Sequence, residues 1–320
     1  MLREHMPSLA SDPGASMPAT AAGRRPSILV IRQGAFGDLV QADGVLRDIR
    51  AHHPDAHITL LVAPQYQRLM ARCPHVDTLI VDPRAPWHRI NHNLELLRLL
   101  RERSFDRVYD LQDSQRTRLY RRLMRPDLPW LGKDNPGSSA VPDRTAYARL
   151  LARAGVPATQ TDAPDVRWMA DDVSALLSAS GVEPGYVALV PGSSARHPHK
   201  RWPHYAELAR RLAEGGRQVV VAPGPDELEL ARSLPCQVLL GPSGFLDWFA
   251  LAGVLASAAF VVGNDTGPTH LAACLGTPGL ALFGPHTSAQ RTGLRLRDFD
   301  AIEAPDLQRL SPDEVIARIP

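Results

Sequence analysis

Lysine is almost absent from this 320-residue chain: of 36 basic residues only Lys133 and Lys200 are lysine, and the rest are arginine. Cysteine is scarce as well. Cys73, Cys236 and Cys274 are odd in number, far apart and without a CxxC pair, which excludes a disulfide framework and fits a reducing compartment. No run approaches the ~20 apolar residues of a membrane-spanning helix, so an integral membrane protein is not expected. Neither sign of charge dominates. The 36 basic and 34 acidic residues leave a net charge of +2, too little for an overall field that would select nucleic acid or a membrane. What is present is ordinary globular material, 44% hydrophobic and 22% charged, at a length that suits two domains.

Residues 1–26, rich in Ala, Ser, Pro and Gly, lack apolar periodicity and the apolar core of a secretory signal; they read as a disordered extension. From Ser27 onward short apolar runs alternate with stretches of helical spacing. Strands are expected at Ser27–Arg32, His57–Ala63, Val76–Asp82 and Phe105–Leu111. Helices are expected at Leu39–His52, Pro64–Cys73, Ile90–Arg103 and Thr117–Arg125. Pro126–Pro142 reads as loop, and a helix at Thr145–Ala154 leads into a linker ending near Asp165. A helix at Asp171–Ser180 opens a second alternation, with strands at Tyr186–Val190, Gln218–Ala222, Gln237–Leu240, Phe260–Val262 and Gly279–Phe283. Uninterrupted apolar strands imply parallel sheets covered on both faces. The expected fold is therefore α/β, two doubly wound Rossmann-like domains at 27–165 and 166–320 facing one another, with ligands at the carboxyl ends of the strands.

Three loops carry candidate chemistry. The first, Gln33-Gly34-Ala35-Phe36-Gly37-Asp38, has glycines at Gly34 and Gly37 for close backbone approach but is neither a dinucleotide fingerprint nor a Walker loop. Asp38 suits a helix N-cap and equally a general base at the mouth of a cleft; the two are compatible. The second runs from Val190 to Pro203. Its Gly192-Ser193-Ser194 offers small donors for phosphate oxygens, and Lys200 stands where this chain ordinarily uses Arg. A point charge on a slim stem suits a crowded phosphate site, although chance alone must put two lysines somewhere. His197, His199 and His204 lack the carboxylate or cysteine partners of a common zinc site, so no metal is expected. Pro203 reads as the first residue of the next helix. In the third loop, Gly263-Asn264-Asp265-Thr266-Gly267-Pro268-Thr269-His270, the start of a helix has amides from Thr266 to Thr269 that suit a diphosphate. Asp265 suits loop amides or a sugar hydroxyl. Turn chemistry alone also accounts for those residues.

Nine arginines between Arg98 and Arg125 stand against Glu102, Asp106, Asp110 and Asp113. This is either a solvated helix face or a docking surface for an anionic acceptor or an anionic membrane. Nucleic acid is not expected, because only Tyr109 and Tyr120 follow Phe105 there as stacking aromatics.

The order and spacing of these loops resemble glycosyltransferase family 9, the ADP-heptose:lipopolysaccharide heptosyltransferases. The carriers are Ile28–Arg32 with Gly37-Asp38, Tyr109–Gln112, Pro191-Gly192 with Lys200–Pro203, Asn264–Ala273, and Leu282–Pro285. The resemblance implies a GT-B fold and an inverting transfer without metal or other cofactor. It implies Asp38 as catalytic base and Lys200 as the cation that neutralises the departing diphosphate. Ser193 and Ser194 match phosphate contacts; Asp265, Thr266, Gly267 and His270 match the donor loop; Glu227 matches, more loosely, an acid that binds the ribose. The partners implied are a nucleotide sugar, in the first place ADP-heptose, and an anionic glycolipid or glycan acceptor. The location implied is cytoplasmic, with peripheral contact at the inner membrane. Where the family usually has Thr-Pro after Gly-Asp, this chain has Asp43-Gly44, and the region after Gln112 follows no family pattern. Two other readings share the architecture. A nucleotide-sugar epimerase needs a second acid/base group; a non-catalytic nucleotide-sugar-binding protein uses Asp38 only as a cap.

Overall fold

The computed structural model describes residues 24–86, 88–133, 143–194 and 196–320. The expected disordered extension lies almost wholly outside the described residues, as does much of the expected loop at Pro126–Pro142. In the first half β1 (Ser27–Ile31) leads through α1 (Phe36–Gln41) and α2 (Asp43–His52) to β2 (His57–Val62). Then follow α3 (Gln67–Met70), β3 (Thr78–Val81), α4 (Ile90–Glu102), β4 (Arg107–Asp110), α5 (Gln115–Leu123), β5 (Trp130–Gly132) and α6 (Asp143–Arg153). The strands form one parallel sheet in the order β3-β2-β1-β4-β5. The apolar run of β1 is buried on both sides: Ile28 and Val30 enter one core, Leu29 and Ile31 the other. Side chains of a strand point alternately to its two faces, which is why no polar alternation was visible there.

The second half opens with α7 (Ser174–Ala179), β6 (Val187–Val190), α8 (Tyr205–Glu214), β7 (Val219–Val221), α9 (Leu228–Arg232) and β8 (Gln237–Val238). It continues through α10 (Trp248–Ser257), β9 (Phe260–Asn264), α11 (Gly267–Leu275), β10 (Gly279–Phe283), α12 (Ala289–Thr292), β11 (Phe299–Glu303) and α13 (Pro312–Ile316). These strands form a second parallel sheet, β11-β10-β9-β6-β7-β8. Strand order reverses between β1 and β4 in one sheet and between β6 and β9 in the other. A doubly wound sheet opens a crevice at such a reversal.

Several expected elements differ in place. The helix expected over Leu39–His52 is two helices, α1 and α2, joined at Ala42. The stretch expected as loop contains the edge strand β5. The helix expected to open at Pro203 begins only at Tyr205 with His204 as N-cap, so Pro203 precedes the cap instead of occupying the first turn.

The halves meet along α1 and α11. Gly37 and Gly267 permit this approach: a Cβ at Gly37 would lie 2.9 Å from the His270 ring, and one at Gly267 would lie 2.7 Å from Phe36. Phe36, buried, stacks on Trp248 at the start of α10 with ring centroids 4.0 Å apart. The segment after α6 is tied down on α2. The buried carboxylate of Asp48 accepts from the backbone amides and hydroxyls of Thr159 and Thr161 and from the Gln160 amide, at 2.7–3.1 Å. Asp43, also buried, accepts from the Asp165 amide and the Trp168 indole, both at 3.0 Å. A Cβ at Gly44 would lie 2.2 Å from the Gln160 carbonyl. The Asp43-Gly44 departure from the family pattern thus has a structural use: it seats the connecting segment.

Candidate active site

The loops after β1, β6 and β9, at the two strand-order reversals, open on one cavity of about 540 Å³. Gly37, Asp38, Ser193, Ser194, Lys200, Asp265, Thr266, Gly267 and His270 all line it. Two expected site residues do not. Gly34, with φ of +138°, lies beneath the Tyr66 ring. Glu227 sets its carboxylate against Gly192 and accepts from the Gly224 amide at 3.1 Å, next to the loop after β6 but outside the cavity wall.

Asp38 is not an N-cap. Ala35 occupies that position, and Asp38, three residues on, turns its carboxylate back so that Oδ2 accepts the Ala35 amide at 3.1 Å. This is the carboxylate half of a capping box, so one residue supports the helix start while facing the cavity. The same Oδ2 is ion-paired at 2.8 Å with Arg32, whose side chain is 2% exposed against 46% for Asp38.

Opposite stands Lys200, in the short turn Pro198–Lys200. Its ammonium donates to Asp265 Oδ2 at 2.6 Å and to the Asp265 carbonyl at 3.1 Å. An ammonium has three N–H donors, so one remains for a ligand. Asp265 therefore does not wait for loop amides, as its sequence suggested; it holds the lysine. Burial works to raise the Asp265 carboxyl, but His270 and Lys200 outweigh it and hold it well below the usual carboxylate range. His286 approaches the same carboxylate at 3.5 Å, and burial, followed by Lys200, lowers its imidazole pKa.

His270 joins the two halves. The Gln41 side-chain nitrogen, which also donates to the Thr292 carbonyl at 2.8 Å, lies 2.6 Å from His270 Nδ1. That nitrogen only donates, so Nδ1 accepts and Nε2 carries the hydrogen directed at Asp265 Oδ1, 3.3 Å away. A polar chain thus runs from α1 through His270 and Asp265 to Lys200. Gln41 was missed in the sequence, although its place three residues after Asp38 on one helix puts it on a neighbouring face.

The start of α11 offers fewer amides than its sequence promised. Thr266 donates to Asn264 at 2.7 Å, Thr269 and His270 both donate to Thr266 at 3.1 Å, and Pro268 has no N–H. Of that stretch, the Gly267 amide alone has no backbone acceptor among the described residues. Ser193 is likewise engaged: its hydroxyl donates to the His197 carbonyl at 3.0 Å and accepts from Arg201 at 3.1 Å. The three histidines of that loop do not converge. His204 bonds the Gln308 carbonyl, whereas His199 packs edge-on against His197 and His286. Among the described residues no group of three His, Cys, Asp or Glu side chains is placed to hold a metal ion.

In sequence and in fold the chain is similar to known proteins. The chain is 29% identical over 294 residues to lipopolysaccharide heptosyltransferase 2 of Escherichia coli strain K12, covering 81% of this chain and 82% of that one. The fold matches the solved structure of E. coli ADP-heptose lps heptosyltransferase II with a TM-score of 0.71 at 23% identity, over 91% of this chain and 97% of that one. It matches a glycosyl transferase family 9 structure from Veillonella parvula with a TM-score of 0.75 at 21% identity, over 92% and 95%. The two facing α/β domains of this chain are of the GT-B type. The model of glycosyltransferase family 9 (heptosyltransferase) matches residues 132–305, more than half of the chain, and the chain belongs to that family.

Proposed function

We propose that this transferase moves heptose from ADP-heptose to a hydroxyl of a lipopolysaccharide core or related cell-envelope glycan, with inversion and without a metal or other cofactor. The observation that carries this reading is that Asp38 from one half and Lys200 from the other line the same cavity. In an inverting displacement the acceptor oxygen attacks the anomeric carbon from the side opposite the diphosphate. Asp38 takes the acceptor proton as the new C–O bond forms. The bond from the anomeric carbon to the diphosphate oxygen breaks, and the charge growing on ADP is met by Lys200 and the Gly267 amide at the start of α11. A cation and an oriented amide at a diphosphate do the work that a divalent ion does elsewhere. The lipopolysaccharide relative supports the acceptor class, and the ADP-heptose enzyme of like fold supports the donor.

No helix among the described residues is long and apolar enough to cross a membrane. The reading places the enzyme in the cytoplasm, in peripheral contact with the inner membrane. Arg118, Arg121, Arg122 and Arg125 support that contact: they are exposed, fall on one side of α5 and its end, and line a shallow hollow with Trp130.

Asp38→Ala tests the proposal. Turnover of ADP-heptose falls about 10²–10⁴-fold, the usual contribution of a positioned base, while calorimetric affinity for ADP-heptose is kept. Retained turnover would sink the base assignment. Retained binding without any turnover in the wild type would return the chain to a binding role.

A further inference from the structure

Arg32 is a charged residue at the end of an apolar strand, and its guanidinium is buried at the reversal between β1 and β4. Removing an ion from water costs several kcal/mol unless its hydrogens are met. Here one amino group donates to the Leu111 carbonyl at 3.0 Å and the other pairs with Asp38 Oδ2 at 2.8 Å. The guanidinium carbon lies 5.9 Å from the centre of the buried Tyr147 ring. The guanidinium is therefore held by β4 and by an aromatic wall before it reaches Asp38. On the carboxylate, both fixed contacts fall on one oxygen: Oδ2 takes Arg32 and the Ala35 amide, and no group among the described residues binds Oδ1.

We infer that Arg32 positions the Asp38 carboxylate, fixing Oδ2 so that Oδ1 is the oxygen that takes the acceptor proton. This rests on the reading of Asp38 as base. A half-exposed carboxylate near a helix start turns easily about its last bond, and the Ala35 amide alone leaves that rotation open. A reacting group misplaced by an ångström forfeits much of its effect. The fork of arginine is suited to this: two amino groups reach two acceptors in different directions, which a lysine ammonium on a flexible stem does poorly. Arg32 touches no substrate in this scheme and acts only through Asp38.

The test is a double-mutant cycle read in single turnovers of ADP-heptose, with heptose-free lipopolysaccharide core as acceptor. Arg32→Met lowers the rate about 10²-fold, at the low end of what a base contributes, while calorimetric ADP-heptose affinity and the acceptor KM stay near wild type. Arg32→Lys restores part of that loss. In the Asp38→Asn background Arg32→Met has no further effect, because no base is left to position. An Arg32→Met loss of equal size in both backgrounds overturns the inference, as does an unchanged rate in Arg32→Met. If Arg32→Met does not fold, Arg32→Lys is read the same way in the two backgrounds. Full turnover in Asp38→Asn overturns the base assignment and the inference with it. An Asp38→Asn variant with residual turnover that Arg32→Met lowers by the same factor as in the wild type overturns the positioning alone.

Discussion

At Asp265 three side chains converge on one carboxylate: Lys200, His270 and His286. With Asp265 only 4% exposed and Lys200 22%, the pair gives the lysine a fixed address at the cavity wall. The sequence showed that Lys200 was unusual, because arginine stands at nearly every other basic position. It did not show that Asp265 was its partner, because the two are 65 positions apart and meet only through the loops after β6 and β9. Arg32 was visible as the one charge closing an apolar run, yet its target six residues on required the turn geometry. A separate residue gives a pH prediction. Burial, the largest influence on Asp110, raises its carboxyl to about 6. Above the unfolded value of 3.8 the folded state holds the proton more tightly than the unfolded chain. Stability from this group is therefore complete below pH 3.8, falls as pH rises from about 4 to about 6, and is lost above that. The difference of about two pKa units is worth about 3 kcal/mol. Asp110→Asn escapes this loss, so its stability relative to wild type should rise by about that amount between pH 4 and pH 8 in thermal unfolding. Parallel curves at the two pH values would contradict it.

Among the elements, the strands of both sheets were legible because buried parallel strands are short apolar runs bounded by turn residues. Two features were not. Strand β5 has only three residues, lies at a sheet edge and is flanked by prolines, so nothing in its pattern separates it from loop. The three elements after β10 lie beyond the family-like motifs, and their apolar residues are too sparse to set a period. The segment after α6 looked like a plain linker. Its anchoring is invisible in its own residues, because the acceptor is Asp48, more than a hundred positions earlier. Neutralising that carboxylate leaves an amide nitrogen facing N–H donors. Asp48→Asn should destabilise the protein by about 3 kcal/mol, the scale of buried hydrogen bonds to a charged group together with unmet donors. Urea unfolding measures it, and an unchanged midpoint would contradict the anchoring role.

The whole molecule places chemistry where two doubly wound sheets face each other at their strand-order reversals. One half supplies a carboxylate braced from behind, the other a cation and a helix start, and α1 and α11 hold them across the cavity. The small net charge of the chain hides an uneven distribution, with four exposed arginines close together on α5 and just past its end. The cavity was read more fully from sequence than the Arg-rich face of α5. The cavity loops are contiguous motifs, whereas the residues around α5 and β5 share no pattern. On the proposed function this cavity takes ADP-heptose without a metal. Calorimetric titration with ADP-heptose, beside UDP-N-acetylglucosamine and GDP-mannose, in buffer containing a chelator, is the test. Selective binding of ADP-heptose that the chelator leaves unchanged is expected; preference for another nucleotide sugar, or binding that disappears with the chelator, would contradict it.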